Sequence, residues 1–112
     1  MALALHGLRG DVLPAADWAL RVAAAYGVPV QVTSVYRTVA EQQVLYRRYL
    51  AGQSKWPANP PGLSAHNYRL AFDSDTDPRY MSWWVAVRRL AGFHVPANDP
   101  IHAEVPGWMS IA

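Results

Sequence analysis

Cysteine is absent from the 112-residue chain. That excludes disulfides and thiolate-rich structural zinc sites, and leaves the redox compartment open. Charge is also sparse: charged residues make up 16% against 52% hydrophobic, and ten Lys plus Arg offset eight Asp plus Glu to a formal +2. So small an excess does not point to nucleic acid, although it suits an anionic polymer such as a cell wall. The apolar content excludes disorder and permits a packed core in a single domain, residues 1–112. No apolar run approaches the roughly 20 residues of a membrane span. The N-terminal MALALHGLRGD lacks the basic start and long apolar centre of a signal peptide. A monomer made in the cytoplasm without a signal peptide, and not inserted in a membrane, is expected. Lysine occurs once, at Lys55, so the cations are almost all arginine; Arg47-Arg48 and Arg88-Arg89 are expected on exposed helix faces.

Periodicity divides the chain. Gly7 and Gly10 argue against regular structure in the lead from Met1 to Pro14. Ala15 to Tyr26 reads as a helix with Trp18, Val22 and Ala25 at helical spacing and Gly27 as its stop. Val28, Val30 and Val32 alternate as in a half-buried strand. Thr38 and Glu41 have capping-box spacing at the start of a second helix, with Val44, Leu45 and Tyr49 as an apolar face and Gly52 as cap. Gln53 to Gly62 is a proline-rich loop, Leu70 to Asp73 a strand, and Asp75 to Pro78 a turn. Met81 to Leu90 is a third helix burying Trp84, Val87 and Leu90, with the tryptophan pair in the core. Phe93–Val95 and Ile101–Val105 read as a closing pair of short strands.

One stretch carries chemistry. His66 stands seven residues before Asp73, and DPIHAE supplies Asp99, His102 and Glu104. Two histidines and a carboxylate make a common ligand set for a catalytic zinc, which takes three protein ligands and leaves one position open. Seven residues bring two side chains to one helix face but to opposite faces of a strand, so His66 is expected on a loop or strand entry that bends round to Asp73. Asp99, three residues before His102, is placed to act as a general base on a water. Arg37, at a strand-to-helix junction, can cap locally, hold a substrate carboxylate or offset charge on a tetrahedral intermediate, and Ser64 can hydrogen-bond a peptide. By spacing alone the signal is unspecific, since a chain with four histidines readily shows such a pair. His6 and His94 are read as ordinary polar residues.

The combination is more specific than its parts. SVYRT followed by Glu41 and Gln42, then Ser64, His66 and Asp73, then Asp99, His102 and Glu104, resembles the M15 family of zinc D,D-peptidases over roughly Val30 to Val105. That family includes D-alanyl-D-alanine carboxypeptidases and the L-alanyl-D-glutamate endopeptidases of bacteriophage endolysins. The resemblance implies zinc held by His66, Asp73 and His102, Asp99 as general base, Arg37 and Ser64 at the substrate, and Glu104 orienting His102. It also implies an α+β, hedgehog/D,D-peptidase-like fold, a small antiparallel sheet with about three helices packed against it.

Arg69 departs from the pattern, standing where the family has glycine. Either the backbone there is ordinary and Arg69 points outward, or the cleft has been altered. The expected activity is therefore hydrolysis of the peptidoglycan stem peptide, as an L-alanyl-D-glutamate endopeptidase of a phage lytic or virion-associated protein. A D-alanyl-D-alanine carboxypeptidase is the alternative within the same machinery, and a noncatalytic wall-binding or structural domain with an altered site is the alternative outside it.

Overall fold

The computed structural model describes residues 3–112; Met1 and Ala2 of the lead lie outside the described residues. Three antiparallel strands, β1 (Val30–Ser34), β2 (Ala71–Thr76) and β3 (His102–Glu104), form a sheet in the order β1-β2-β3. Helices α1 (Leu13–Ala25), α2 (Val39–Leu50), α3 (Met81–Leu90) and the single turn α4 (Trp108–Ile111) complete the α+β fold. Among the described residues no helix is long and apolar enough to cross a membrane.

The core lies between one face of the sheet and α1 with α3. Residues paired across strands share a face, so Phe72 of β2 and its partner Ala103 of β3 both point inward and are fully buried. Helix α1 starts two residues earlier than expected, with Pro14 in its first turn, where its missing N–H leaves nothing unsatisfied. It buries Ala16, Ala19 and Ala23 together with Asp17; Trp18 is 41% exposed, and of the expected apolar stripe only Val22 packs on the core. Alanine at these positions lets the helix lie close against its neighbours, which a stripe of larger side chains would prevent. The lead also differs from expectation: Leu3–Leu5 forms a 3-10 turn, and Leu5 and Leu8 are buried anchors of the core.

Helix α3 matches its expected bounds but not its expected face. Trp84 and Val87 are buried, whereas Leu90 is 77% exposed and Arg88 is fully buried in its place. At 100° per residue, 84, 87 and 88 share a stripe, and 90 lies on the far side. Strand β2 runs on to Thr76, so the turn comes later, with Asp77 capping the 3-10 turn Pro78–Tyr80. The expected strand pair at 93–105 is reduced to one antiparallel bridge, His94 with Glu104, because β3 pairs instead with β2.

Helix α2 carries the expected capping box: Glu41 N–H donates to Thr38 Oγ1 at 3.1 Å, and Thr38 N–H donates to Glu41 Oε1 at 3.0 Å. The expected apolar face is not what holds it, since Val44 and Tyr49 are exposed and the residue it buries is Gln42. With little apolar burial, α2 depends on its cap. Thr38→Ala should therefore cost about 1 kcal/mol, read chiefly as faster amide exchange in the first turn of α2; unchanged exchange there would show that the cap is dispensable.

Candidate metal centre

The face of the sheet opposite the core forms the floor of a cleft of about 150 Å³, lined by Arg37, Ser64, His66, Asp73, Asp99, His102 and Glu104 among others. Asp73 is central because β2 is the central strand. Its register partner on β3 is His102, and its partner on β1 is Ser34. A bulge between Val32 and Ser34 puts Ser34, not Thr33, opposite Asp73 and turns the exit of β1 toward the cleft. His66 arrives from the 3-10 turn Ala65–Tyr68, where Ser64 Oγ accepts the His66 N–H at 3.3 Å. The bend before β2 brings it to Asp73, as the seven-residue spacing requires.

Asp73 Oδ1 lies 2.9 Å from His66 Nε2 and 3.1 Å from His102 Nδ1. On its outer side, His66 Nδ1 lies 2.7 Å from the Val35 carbonyl, and His102 Nε2 lies 2.7 Å from Glu104 Oε1. The hydrogen-bond network assigns protons to these outer nitrogens. The inner nitrogens then present lone pairs, and with the Asp73 oxygen all three candidate ligand atoms lie within 4.8 Å of one another. Protons alone would satisfy this arrangement only with two doubly protonated rings whose centroids are 5.1 Å apart. One cation among the three inner atoms satisfies them together, so the donor set fits a metal such as zinc. With no metal bound the inner nitrogens are protonated instead: burial alone would raise Asp73, but hydrogen bonds from His102 and His66 in that state outweigh it and hold the carboxyl well below its usual range. Burial likewise opposes charge on His102, and Asp73 and Glu104 overcome it, raising the imidazole to about 9.

Arg37 closes the cleft on the β1 side. Its Nη2 donates to Asp73 Oδ2 at 3.0 Å and to Ser34 Oγ at 2.9 Å, and Nη1 donates to Gln42 Oε1 at 2.8 Å. Gln42 in turn donates to the Asn59 carbonyl at 2.7 Å, tying the proline-rich loop to the arginine. Asn67 donates to the Arg37 carbonyl at 2.8 Å and accepts from Gly62 N–H at 3.1 Å. Gln42 and Asn67 were given no role by sequence reasoning; a polar residue on the inward side of α2 is the signal that finds Gln42.

Asp99 sits on the loop before β3, with its carbonyl accepting the His102 N–H at 3.0 Å. Its Oδ1 is buried and has no hydrogen-bond partner among the described residues, and burial pushes the carboxyl up to about 6. A carboxyl held near neutrality beside a cleft can accept and return a proton. His6 and His94 are exposed and lie outside the cluster.

Arg69 resolves in a way neither expectation described. Its backbone is left-handed, with φ 65° and ψ 30°, the conformation that glycine favours, yet its side chain points away from the cleft. The guanidinium carbon stacks 4.0 Å above the centre of the Tyr36 ring, and Nη1 donates to the Gly7 carbonyl at 3.3 Å. A larger groove of about 400 Å³ at Pro29, Val30, Gln31, Asp75, Thr76 and Asp77 contains no imidazole. Chemistry, not size, marks the site.

The chain has the fold of M15-type peptidases. No family model matches its sequence, and no curated protein matches it either. Solved structures do. VanYB in complex with D-alanine-D-alanine is 22% identical, with a TM-score of 0.75 over 92% of this chain and 74% of that one. The E175A mutant of the vancomycin-resistance D,D-pentapeptidase VanY, in complex with Zn(II), is 22% identical, with a TM-score of 0.73 over 91% of this chain and 74% of that one. The Serratia marcescens L-Ala D-Glu endopeptidase ChiX is 20% identical, with a TM-score of 0.70 over 96% of this chain and 87% of that one.

Arg69→Gly should relieve left-handed strain of about 1 kcal/mol and lose a cation–π contact of about 0.5–1 kcal/mol. Stability should therefore change by less than about 1 kcal/mol and zinc binding should be unchanged, checked by thermal denaturation and metal titration; loss of zinc would place Arg69 in the site.

Proposed function

We propose that residues 1–112 form a single zinc peptidase domain that hydrolyses the stem peptide of bacterial peptidoglycan. His66, Asp73 and His102 hold the metal, Asp99 is the general base, and Arg37 and Ser64 face the substrate. The observation that carries this reading is the convergence of two imidazole nitrogens on one carboxylate oxygen while both outer nitrogens are already engaged. Support comes from the neighbours: VanY is a Zn(II) complex, VanYB binds D-alanine-D-alanine, and ChiX is an L-Ala D-Glu endopeptidase.

A bound zinc supplies Lewis acidity, lowering the pKa of a water and polarising the scissile carbonyl. Asp99 takes a proton from the water as its oxygen bonds to the carbonyl carbon. When the C–N bond breaks, Asp99 returns that proton to the leaving amine, giving a free amine and a new carboxyl group, which loses its remaining proton to solvent. Arg37 offsets the negative charge that develops on the carbonyl oxygen. Ser64 uses its hydroxyl oxygen to cap the turn of His66, which leaves the hydroxyl hydrogen to donate to a peptide.

The endopeptidase reading is favoured over the carboxypeptidase by Arg37. A carboxypeptidase must grip a terminal carboxylate, and Arg37 is the one Lys or Arg lining the cleft among the described residues. Both Nη2 hydrogens and one on Nη1 are committed to Asp73, Ser34 and Gln42, so no free two-pronged face remains for a carboxylate. The phage lytic or virion-associated setting is part of the same proposal, on the strength of the compact cleft.

The test is mass spectrometry of peptidoglycan incubated with the protein, with and without a zinc chelator. Chelator-sensitive release of peptides beginning with D-glutamate is expected; released D-alanine would favour the carboxypeptidase instead. No product from several wall types with zinc bound would sink the peptidase reading. Asp99→Ala should keep its zinc and lose about 10²–10⁴-fold in kcat. His66→Ala should lose zinc along with some stability, and unchanged zinc stoichiometry would remove His66 from the ligand set.

A further inference from the structure

Arg88 is a buried cation that the proposed chemistry does not use. It lies on α3 beneath the cleft floor, is fully buried, and makes no ion pair among the described residues. Its Nη1 has no hydrogen-bond partner among those residues either. A desolvated guanidinium without a carboxylate against it is unfavourable, and a methionine or leucine would fill the same volume at lower cost.

The arginine holds main chain. Nε donates to the Trp84 carbonyl at 3.3 Å, Nη2 donates to the Pro100 carbonyl, and the guanidinium carbon lies 5.0 Å from the centre of the Trp84 ring. Pro100 directly follows Asp99. One turn earlier on α3, Trp84 Nε1 donates to Ser74 Oγ at 2.9 Å, and Ser74 N–H donates to the Ile101 carbonyl at 2.9 Å. Two α3 residues thus brace the segments that carry Asp73 and Asp99. Arg89 holds the near end of the same loop through the Val95 carbonyl at 2.7 Å. Asp99 needs this help, because its buried Oδ1 has no hydrogen bond of its own to fix it.

We infer that Arg88 is the positioning residue for Asp99, gripping the Pro100 carbonyl from below so that the carboxylate stays in the cleft. The inference rests on the peptidase reading of that cleft. Its charge acts in the same direction, since Asp73 and Asp99 are the carboxylates whose fields reach the guanidinium.

Arg88→Met and Arg88→Lys test it, each measured for kcat, KM, zinc content and melting temperature on a defined stem peptide. Arg88→Met should fold with an unchanged or higher melting temperature and keep zinc and KM. Its kcat should fall ~10- to 100-fold, the scale of a displaced catalytic group. Arg88→Lys, with one ammonium to serve both carbonyls, should lose less. In an Asp99→Ala background, Arg88→Met should cost nothing further. A folded variant of either kind with wild-type kcat overturns the inference, as does an equal loss in the Asp99→Ala background. Backbone order parameters give a readout independent of turnover. In whichever variant folds, residues 97–101 should fall from ~0.85 toward ~0.6; unchanged order overturns the positioning role, even should the wild type prove inactive on every wall tested.

Discussion

A single carboxylate organises the molecule. Asp73 places one oxygen between two imidazoles and the other against Arg37, and it can do so because it sits mid-strand at the centre of a three-stranded sheet. A central strand has a neighbour on each side, so β3 delivers His102 and β1 delivers Ser34, with Arg37 three residues beyond it, to the same face. An edge strand would have offered only one. A buried carboxylate is costly unless surrounded by donors, and here the surrounding donors are the groups that a metal site needs. Folding energetics and site assembly therefore use the same contacts.

The two imidazoles are restrained differently. His66 leans on a main-chain carbonyl at the exit of β1, which carries no net charge and moves only if the strand moves. His102 leans on Glu104, two residues along its own strand, a carboxylate that makes the ring more basic and a stronger donor of electron density to any cation. One histidine thus records the position of β1 relative to the turn at Ala65–Tyr68, while the other is tuned within β3. Displacing β1 would cost geometry; removing Glu104 would cost basicity.

Much of the fold was legible because local rules and tertiary packing agree there. Val30 and Val32 alternate, Thr38 and Glu41 form their box, Met81–Leu90 is helical to the residue, and the spacing of His66 and Asp73 anticipates the bend. The errors arose where periodicity identifies an apolar stripe but not which neighbour it meets. Trp18, Val44, Tyr49 and Leu90 carry the right spacing and remain exposed, because alanines, a glutamine and an arginine take the inward positions. An inward alanine stripe on α1 reads as helix propensity, and a buried Arg88 reads as half of a surface pair. The candidate site residues do converge in space, whereas the network behind them was only partly visible: Gln42 stands in the motif without a role, and Asn67 and Arg88 act through main-chain carbonyls that no side-chain motif records.

Several of the positions where this chain breaks local rules lie close together. The bulge at Val32–Ser34 breaks strand regularity, Arg69 is the one left-handed non-glycine residue described, Gln42 and Arg88 are fully buried polar groups, and Asp99 holds a buried oxygen without a partner. Each lies in the cleft wall or on a segment that supports it. A sequence selected for stability alone would remove such features, since each has a cheaper substitute: a regular strand, glycine, leucine, methionine, asparagine. Several of them surround three convergent candidate ligand atoms, and strained or unsatisfied groups of this kind cluster at functional sites. Arg69 fits the same logic from outside: it accepts a strained backbone and turns its charge onto Tyr36, the neighbour of Arg37, leaving the cleft face to the two imidazoles and the carboxylates.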